Sequence, residues 1–246
     1  MRRLQNKLLL AVLLIVLSLG LFMLQIRIFH DERDTFFYLF QDLAFVPIQV
    51  LLVTVIVDQL LKSREKLVML NKLNMVIGTF FSEVGNRLLR SFSGFDHGFE
   101  QFRKELVVSR DWSDQKFSRA GREISGFAFR LDYTRGDLAE LKALLVSKRD
   151  FMLRLLANQS LLEHETFTDL LWAVFHLTEE LEARSDPTRL PTTDGEHIAG
   201  DIRRAYVLLI AEWLSYMKHL KNEYPYLFSL AVRTNPFDAD ASVTVK

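Results

Sequence analysis

The sequence predicts an all-α chain in which an N-terminal two-helix transmembrane hairpin continues into a cytoplasmic helical bundle. Three observations predict it. Leu8 to Ile26, reading LLLAVLLIVLSLGLFMLQI, runs nineteen residues without a charge. At about 1.5 Å of rise per residue that nearly crosses a hydrocarbon core of roughly 30 Å. A second apolar stretch, Phe36 to Val57, follows after nine residues. Beyond Asp58, apolar positions recur at helical spacing and no strand-like alternation is sustained.

The first stretch follows Arg2, Arg3 and Lys7, which would also suit a cleaved signal peptide. Its end, Phe22-Met23-Leu24-Gln25-Ile26, offers no small-residue cleavage site, so the reading is an uncleaved helix over about 8–26. The second, FFYLFQDLAFVPIQVLLVTVIV over about 36–57, carries Gln41, Asp42, Pro47, Gln49 and Thr54. Its length suits a span and a Pro is tolerated there; a re-entrant or interfacial segment is the alternative. Basic residues flank the pair on one side: Arg2, Arg3 and Lys7 before it, Lys62, Arg64, Lys66 and Lys72 after it. The connector, 27–35, sets two Arg against Asp31, Glu32 and Asp34. The positive-inside rule therefore places both termini in the cytoplasm and the connector outside, in a multi-pass protein of the plasma (inner) membrane.

After the hairpin (1–61) the expected parts are a juxtamembrane helix or stalk (62–92), a helical domain (93–234) and a mobile tail (235–246). No Pro interrupts Asp58–Phe92, so the second membrane helix should run on. Further helices are expected at about 96–109, 113–130, 137–158, 160–184, 196–222 and 225–233. Ser160 and Glu163 form a capping box. Ser185 to Thr193, with Pro187 and Pro191, reads as a loop, and Asp194 as the cap of the helix after it.

Composition removes several functions. With no Cys, thiolate catalysis, disulfides and Cys-based zinc sites are excluded. Lys and Arg total 31, as do Asp and Glu; residues 1–61 hold five of each sign, so the rest is neutral too. A nucleic-acid partner loses its electrostatic footprint. The expected partners are the lipid bilayer, further copies of this chain and a cytoplasmic protein, with no cofactor.

Four features bear on function. Asp42 lies six residues inside Phe36, at a depth where an ionisable group is costly. In an antiparallel hairpin Ser18 and Gly20 would face it as a polar clasp. Gln49 falls about 20° from Asp42 on the helix, so a ring of copies would instead line a cation pathway; outward snorkelling is the third option. Second, Leu67, Leu70, Asn74, Ile77, Phe81, Val84 and Leu88 hold successive a and d heptad positions, Asn74 being the polar exception, with Gly78 and Gly85 beside them. This suits a self-associating coiled-coil stalk or, equally, a helix packed inside the chain's own domain. Third, Phe92, Phe95, Phe99, Phe102 and Leu106 would share one helical face, better suited to a core than to the bilayer interface. Fourth, PYLFSLAVRTNPF, over 225–237, should dock on the domain or present a partner surface, docking being preferred.

Chemical motifs are missing. There is no GxxxxGK[ST], GxGxxG, GxSxG or HExxH. The six His are His30, His97, His164, His176, His197 and His219. His164 and His176 on one helix stand about 120° apart, poor geometry for one ion, and solvated or capping roles are expected. The expectation is a non-enzymatic membrane protein whose hairpin anchors a helical association domain, the alternative being a channel or transporter subunit with its second helix lining the pore.

Overall fold

The computed structural model describes residues 16–21, 23, 24, 26–28, 32–158, 161 and 164–244, and for 32–35, 65–72, 99, 101, 102 and 125 the backbone alone. The regular structure among the described residues is helical, with a single isolated bridge, Asp96 to Leu131, and no strand. The chain divides into two units, Met1–Lys66 and Leu67–Lys246.

The described residues within 16–28 are helical, and the first continuous helix, α1, is Glu32–Phe80, of which the residues up to Lys66 belong to the first unit and the rest to the second. Its stretch Phe36–Arg64 spans 29 residues at a mean hydropathy of 2.1, and none of it is buried. It is the one helix among the described residues that is long and apolar enough to cross a membrane. The first apolar helix of the expected hairpin is described only over part of 16–28, too short to count as a span; residues 8–15 lie outside the described set. Two hydroxyls within Phe36–Arg64 bond back to the helix: Thr54 Oγ1 donates to the Val50 carbonyl at 2.7 Å and Ser63 Oγ to the Gln59 carbonyl at 2.8 Å.

The second unit is built around α8. After α1 come a π-turn, Phe81–Gly85, and α2, Asn86–Ser93. Then follow α3 (Phe99–Leu106), α4 (Asp114–Gly126), α5 (Leu138–Ser147), α6 (Arg149–Leu156), α7 (Glu165–Ala183), α8 (Thr192–Glu223) and α9 (Pro225–Arg233). α8 packs against α7, α4, α9, α2 and the π-turn, while α5 and α6 pack on α7. Its inward stripe, including Ile198, Ile202, Ala205, Leu209, Trp213 and Leu220, steps by three or four residues, as a core-facing helix should.

Local chemistry sets several boundaries. Ser113 caps α4 by accepting from the Lys116 amide at 3.2 Å, and Asp137 caps α5 from Glu140 at 2.8 Å. Pro225 opens α9 at a position where its missing N–H costs nothing. Several expectations are corrected. The helix foreseen over 137–158 is two helices meeting at Lys148. Asp194 caps nothing: α8 starts before it, at Thr192, and its carboxylate is held by Arg184. Phe92 and Phe95 are buried but separated by a turn after Ser93, so the aromatic stripe is not one helical face; the side chains of Phe99 and Phe102 lie outside the described set. The Ser160–Glu163 box falls outside it as well.

The tail is anchored rather than mobile at its start. Asn235 is buried, its Nδ2 donating to the Leu106 carbonyl at 3.0 Å and its Oδ1 accepting from the Phe237 amide at 2.8 Å. Phe237 packs edge-on against Trp213 with centroids 5.0 Å apart. The 225–237 segment thus docks on its own domain.

Candidate functional site

The residues singled out for a hairpin clasp, Ser18, Gly20, Asp42 and Gln49, all lie on exposed helical surface. A methyl placed on Gly20 would touch nothing within 4 Å. Asp42 has no hydrogen bond or ion pair among the described residues.

The heptad residues are accounted for inside the second unit. Ile77, Phe81, Val84 and Leu88 are buried in the domain's own core, so they are not a free seam for a second copy. Phe81 stacks on Tyr216 with centroids 5.2 Å apart, and Phe80 packs edge-on against Phe167 at 5.3 Å. Asn74, foreseen as a register-setting polar residue, bonds His219 Nδ1 at 3.1 Å. The side chains of Leu67 and Leu70 lie outside the described set. Asn74, Gly78, Tyr216, His219, Tyr224 and Tyr226 line a cavity of about 410 Å³. Burial holds the His219 imidazole below its ordinary pKa, and its Nε2 has no hydrogen-bond partner among the described residues.

A polar cluster that the sequence reading missed lies between α7 and α8. His176 and Glu180 are one turn apart on α7, and His197 and Asp201 one turn apart on α8. The pairs run in opposite order along the two helices: His176 meets Asp201, Glu180 meets His197, and Arg184 meets Asp194. That order makes the helices antiparallel. His176 Nε2 is 3.5 Å from Asp201 Oδ2 and 3.9 Å from Glu180 Oε1. His197 Nε2 is 3.4 Å from the same Asp201 oxygen and 3.8 Å from Glu180 Oε2.

Arginines hold the carboxylates from outside. Arg184 grips Asp194 with two donors, Nε at 2.9 Å and a terminal nitrogen at 2.5 Å, and Glu180 Oε2 with the other at 2.8 Å. This fork keeps the Glu180 and Asp194 carboxyls below their usual range and raises the guanidinium's own pKa. Arg204 donates to Asp201 Oδ1 at 3.0 Å. Asp201 is 3% exposed, and its Oδ2 accepts no hydrogen bond. A cavity of about 540 Å³ opens beside the cluster, lined by His197, Asp201, Arg203, Arg204, Phe127 and Phe129 among others.

The spacing His-x-x-x-Glu followed by His-x-x-x-Asp was the available signal. His164, the histidine nearest His176 in sequence, caps α7 instead by accepting from the Phe167 amide at 3.3 Å. Nothing in one chain says which turns of two helices face each other.

Residues 69–233 match the family described as uncharacterized protein MJ1433, C-terminal helical domain, and residues 2–61 match its N-terminal helical domain. The chain belongs to the MJ1433 family. It is similar to uncharacterized protein MJ1433 of Methanocaldococcus jannaschii, with 44% identity over 231 residues, covering 94% of this chain and 93% of that one. The two matched segments of the MJ1433 family are both described as helical domains, in keeping with the all-α fold. No solved structure matches the chain.

Proposed function

We propose that this chain is a non-enzymatic integral membrane protein in which a two-helix hairpin anchors a cytoplasmic helical domain that associates with a protein partner or with further copies of itself. The supporting observation is Phe36–Arg64: an apolar helix of 29 residues with no buried face inside the chain. In water that surface would be unfavourable by about 25 cal/mol per Å² of apolar area, whereas lipid removes the penalty. Arg2, Arg3 and Lys7 before the two apolar runs and Lys62, Arg64, Lys66 and Lys72 after them support a reading with both termini on the cytoplasmic side. Exposed Trp172 and Tyr226 on the helical domain offer large apolar side chains to a partner.

The test is flotation of the full-length chain with native membranes after alkaline carbonate washing. Retention in the floated fraction is expected; release into the wash would remove the anchoring role. Asp42, exposed and without a hydrogen bond or ion pair among the described residues, supports a second reading, a cation pathway lined by several copies, which predicts ion flux in vesicles that Asp42→Asn abolishes.

A further inference from the structure

We propose that α9, with Met75 beside it, lies on the cytoplasmic surface of the bilayer and sets Tyr226, Leu227 and Leu230 into the zone between headgroups and acyl chains. The inference rests on the anchoring reading, and it leaves Trp172 as the side chain for a protein partner.

α9 has two unlike faces. At about 100° of rotation per residue, Tyr226, Leu227 and Leu230 share roughly a third of the helix circumference, while Phe228 points the other way and is buried. Ala231 and Val232 pack against the core on that inner side. The outer face is open: Tyr226 is 72% exposed and Leu230 43%. Met75, 70% exposed on α1, lines a cavity with Tyr226 and Leu227, so the four side chains form one surface. They are half of the large apolar side chains left exposed beyond Lys66 among the described residues. Scattered singly, such side chains need no explanation; gathered in one place, they mark a surface that meets something.

Three observations choose lipid as the occupant. Met75 follows Arg64, the end of the apolar stretch, by eleven residues. Even fully extended, such a length of chain reaches only about 40 Å, so a bilayer that holds Phe36–Arg64 keeps this surface within its reach. The cavity that Met75, Tyr226 and Leu227 share is lined by no charged side chain, and its rim carries tyrosine, which settles at the lipid–water boundary with its ring in the apolar layer and its hydroxyl in water. Tyr224 stands edge-on beside Tyr226, their centroids 6.4 Å apart. At the edge of α9 Arg110 donates to Ser229 Oγ at 3.0 Å, and Arg110 and Arg233 share a cavity with Asp238 and Asp240. Charge there is balanced, so apolar area rather than lipid charge should hold the helix down.

The chain contains no Cys, so a single substituted cysteine carries an environment-sensitive fluorophore at one chosen place. Full-length Tyr226→Cys, Leu230→Cys and Arg122→Cys, the last at an exposed residue of α4, are labelled and placed in phosphatidylcholine nanodiscs whose acyl chains bear nitroxides. At positions 226 and 230 the emission should shift to the blue, be quenched by the nitroxides and be protected from aqueous iodide, with no change in high salt. At position 122 iodide alone should quench. All three residues are exposed, so the variants should melt with the wild-type chain. Labels at 226 and 230 that iodide reaches as readily as it reaches 122 would overturn the proposal. Labels shielded from iodide yet untouched by nitroxide would overturn it too, by putting a protein, a second copy included, on this face. So would protection lost in salt, which would mean binding through charge. Flotation of the same variants reports anchoring separately: a chain that floats with its labels in water removes this inference alone, and a chain that does not float removes the anchoring on which it rests.

Discussion

Phe40 and Phe80 lie forty residues apart on one helix, yet Phe40 is 76% exposed and Phe80 is 0% exposed. Around Phe40 the helix is strongly apolar, Gln41 and Asp42 excepted, and none of Phe36–Arg64 is buried; around Phe80 only one stripe is apolar, and it is covered by α8 and α7. The lesson is that hydrophobicity alone does not locate a core. Its distribution around the helix separates a surface that needs a solvent from one that needs a neighbour.

Replacing both phenylalanines should show the largest contrast. Phe80→Ala should cost about 3–5 kcal/mol and lower the melting temperature by about 10 °C or more, read by calorimetry. Phe40→Ala should leave that melting temperature within error. Comparable losses would mean that the outer stretch packs against protein. Next comes Leu51→Arg, which places a charge mid-span at a cost of about 3 kcal/mol for insertion and should deplete the floated membrane fraction. An undiminished fraction would argue that Phe36–Arg64 does not span.

Asn235→Ala breaks two buried hydrogen bonds and should destabilise by about 1–3 kcal/mol, seen as an earlier denaturant midpoint. A mobile tail would show no change. The smallest effect concerns Glu212, a buried carboxylate on α8 whose pKa is raised by desolvation. The folded state holds this proton more tightly, so its contribution is fully present below the ordinary value of 4.5 and is lost as pH rises through the raised one. Glu212→Gln should therefore raise the melting temperature at pH 7 by about 2–4 °C, and the gain should fade toward pH 4. A gain constant with pH would show that Glu212 stays charged.

Much of this architecture was legible in the residues. Apolar runs and three-four spacing carried the all-α fold, and Pro225 placed α9 where the reading expected it, because these signals act within one or two turns. What could not be read depends on contacts distant in sequence. Asn74 looked like a coiled-coil polar residue because its partner, His219, is 145 positions away. Asn235 looked like part of a polar tail because the Leu106 carbonyl it binds is 129 positions back. The α7–α8 cluster was invisible for the same reason: the intervening loop decides which turns oppose.

The π-turn at Phe81–Gly85 carries a consequence for descent. Such a turn is the footprint of one residue added to an α-helix. Removing it would restore regular hydrogen bonding but rotate everything beyond by about 100°. Leu88, Leu89 and Phe92 would then swing off the surfaces that bury them. Gly85 is equally committed, since a methyl there would come within 2.5 Å of the Phe81 ring. The addition is thus easy to acquire once and hard to undo, and lineages of this family should keep their length through this stretch even where their side chains drift.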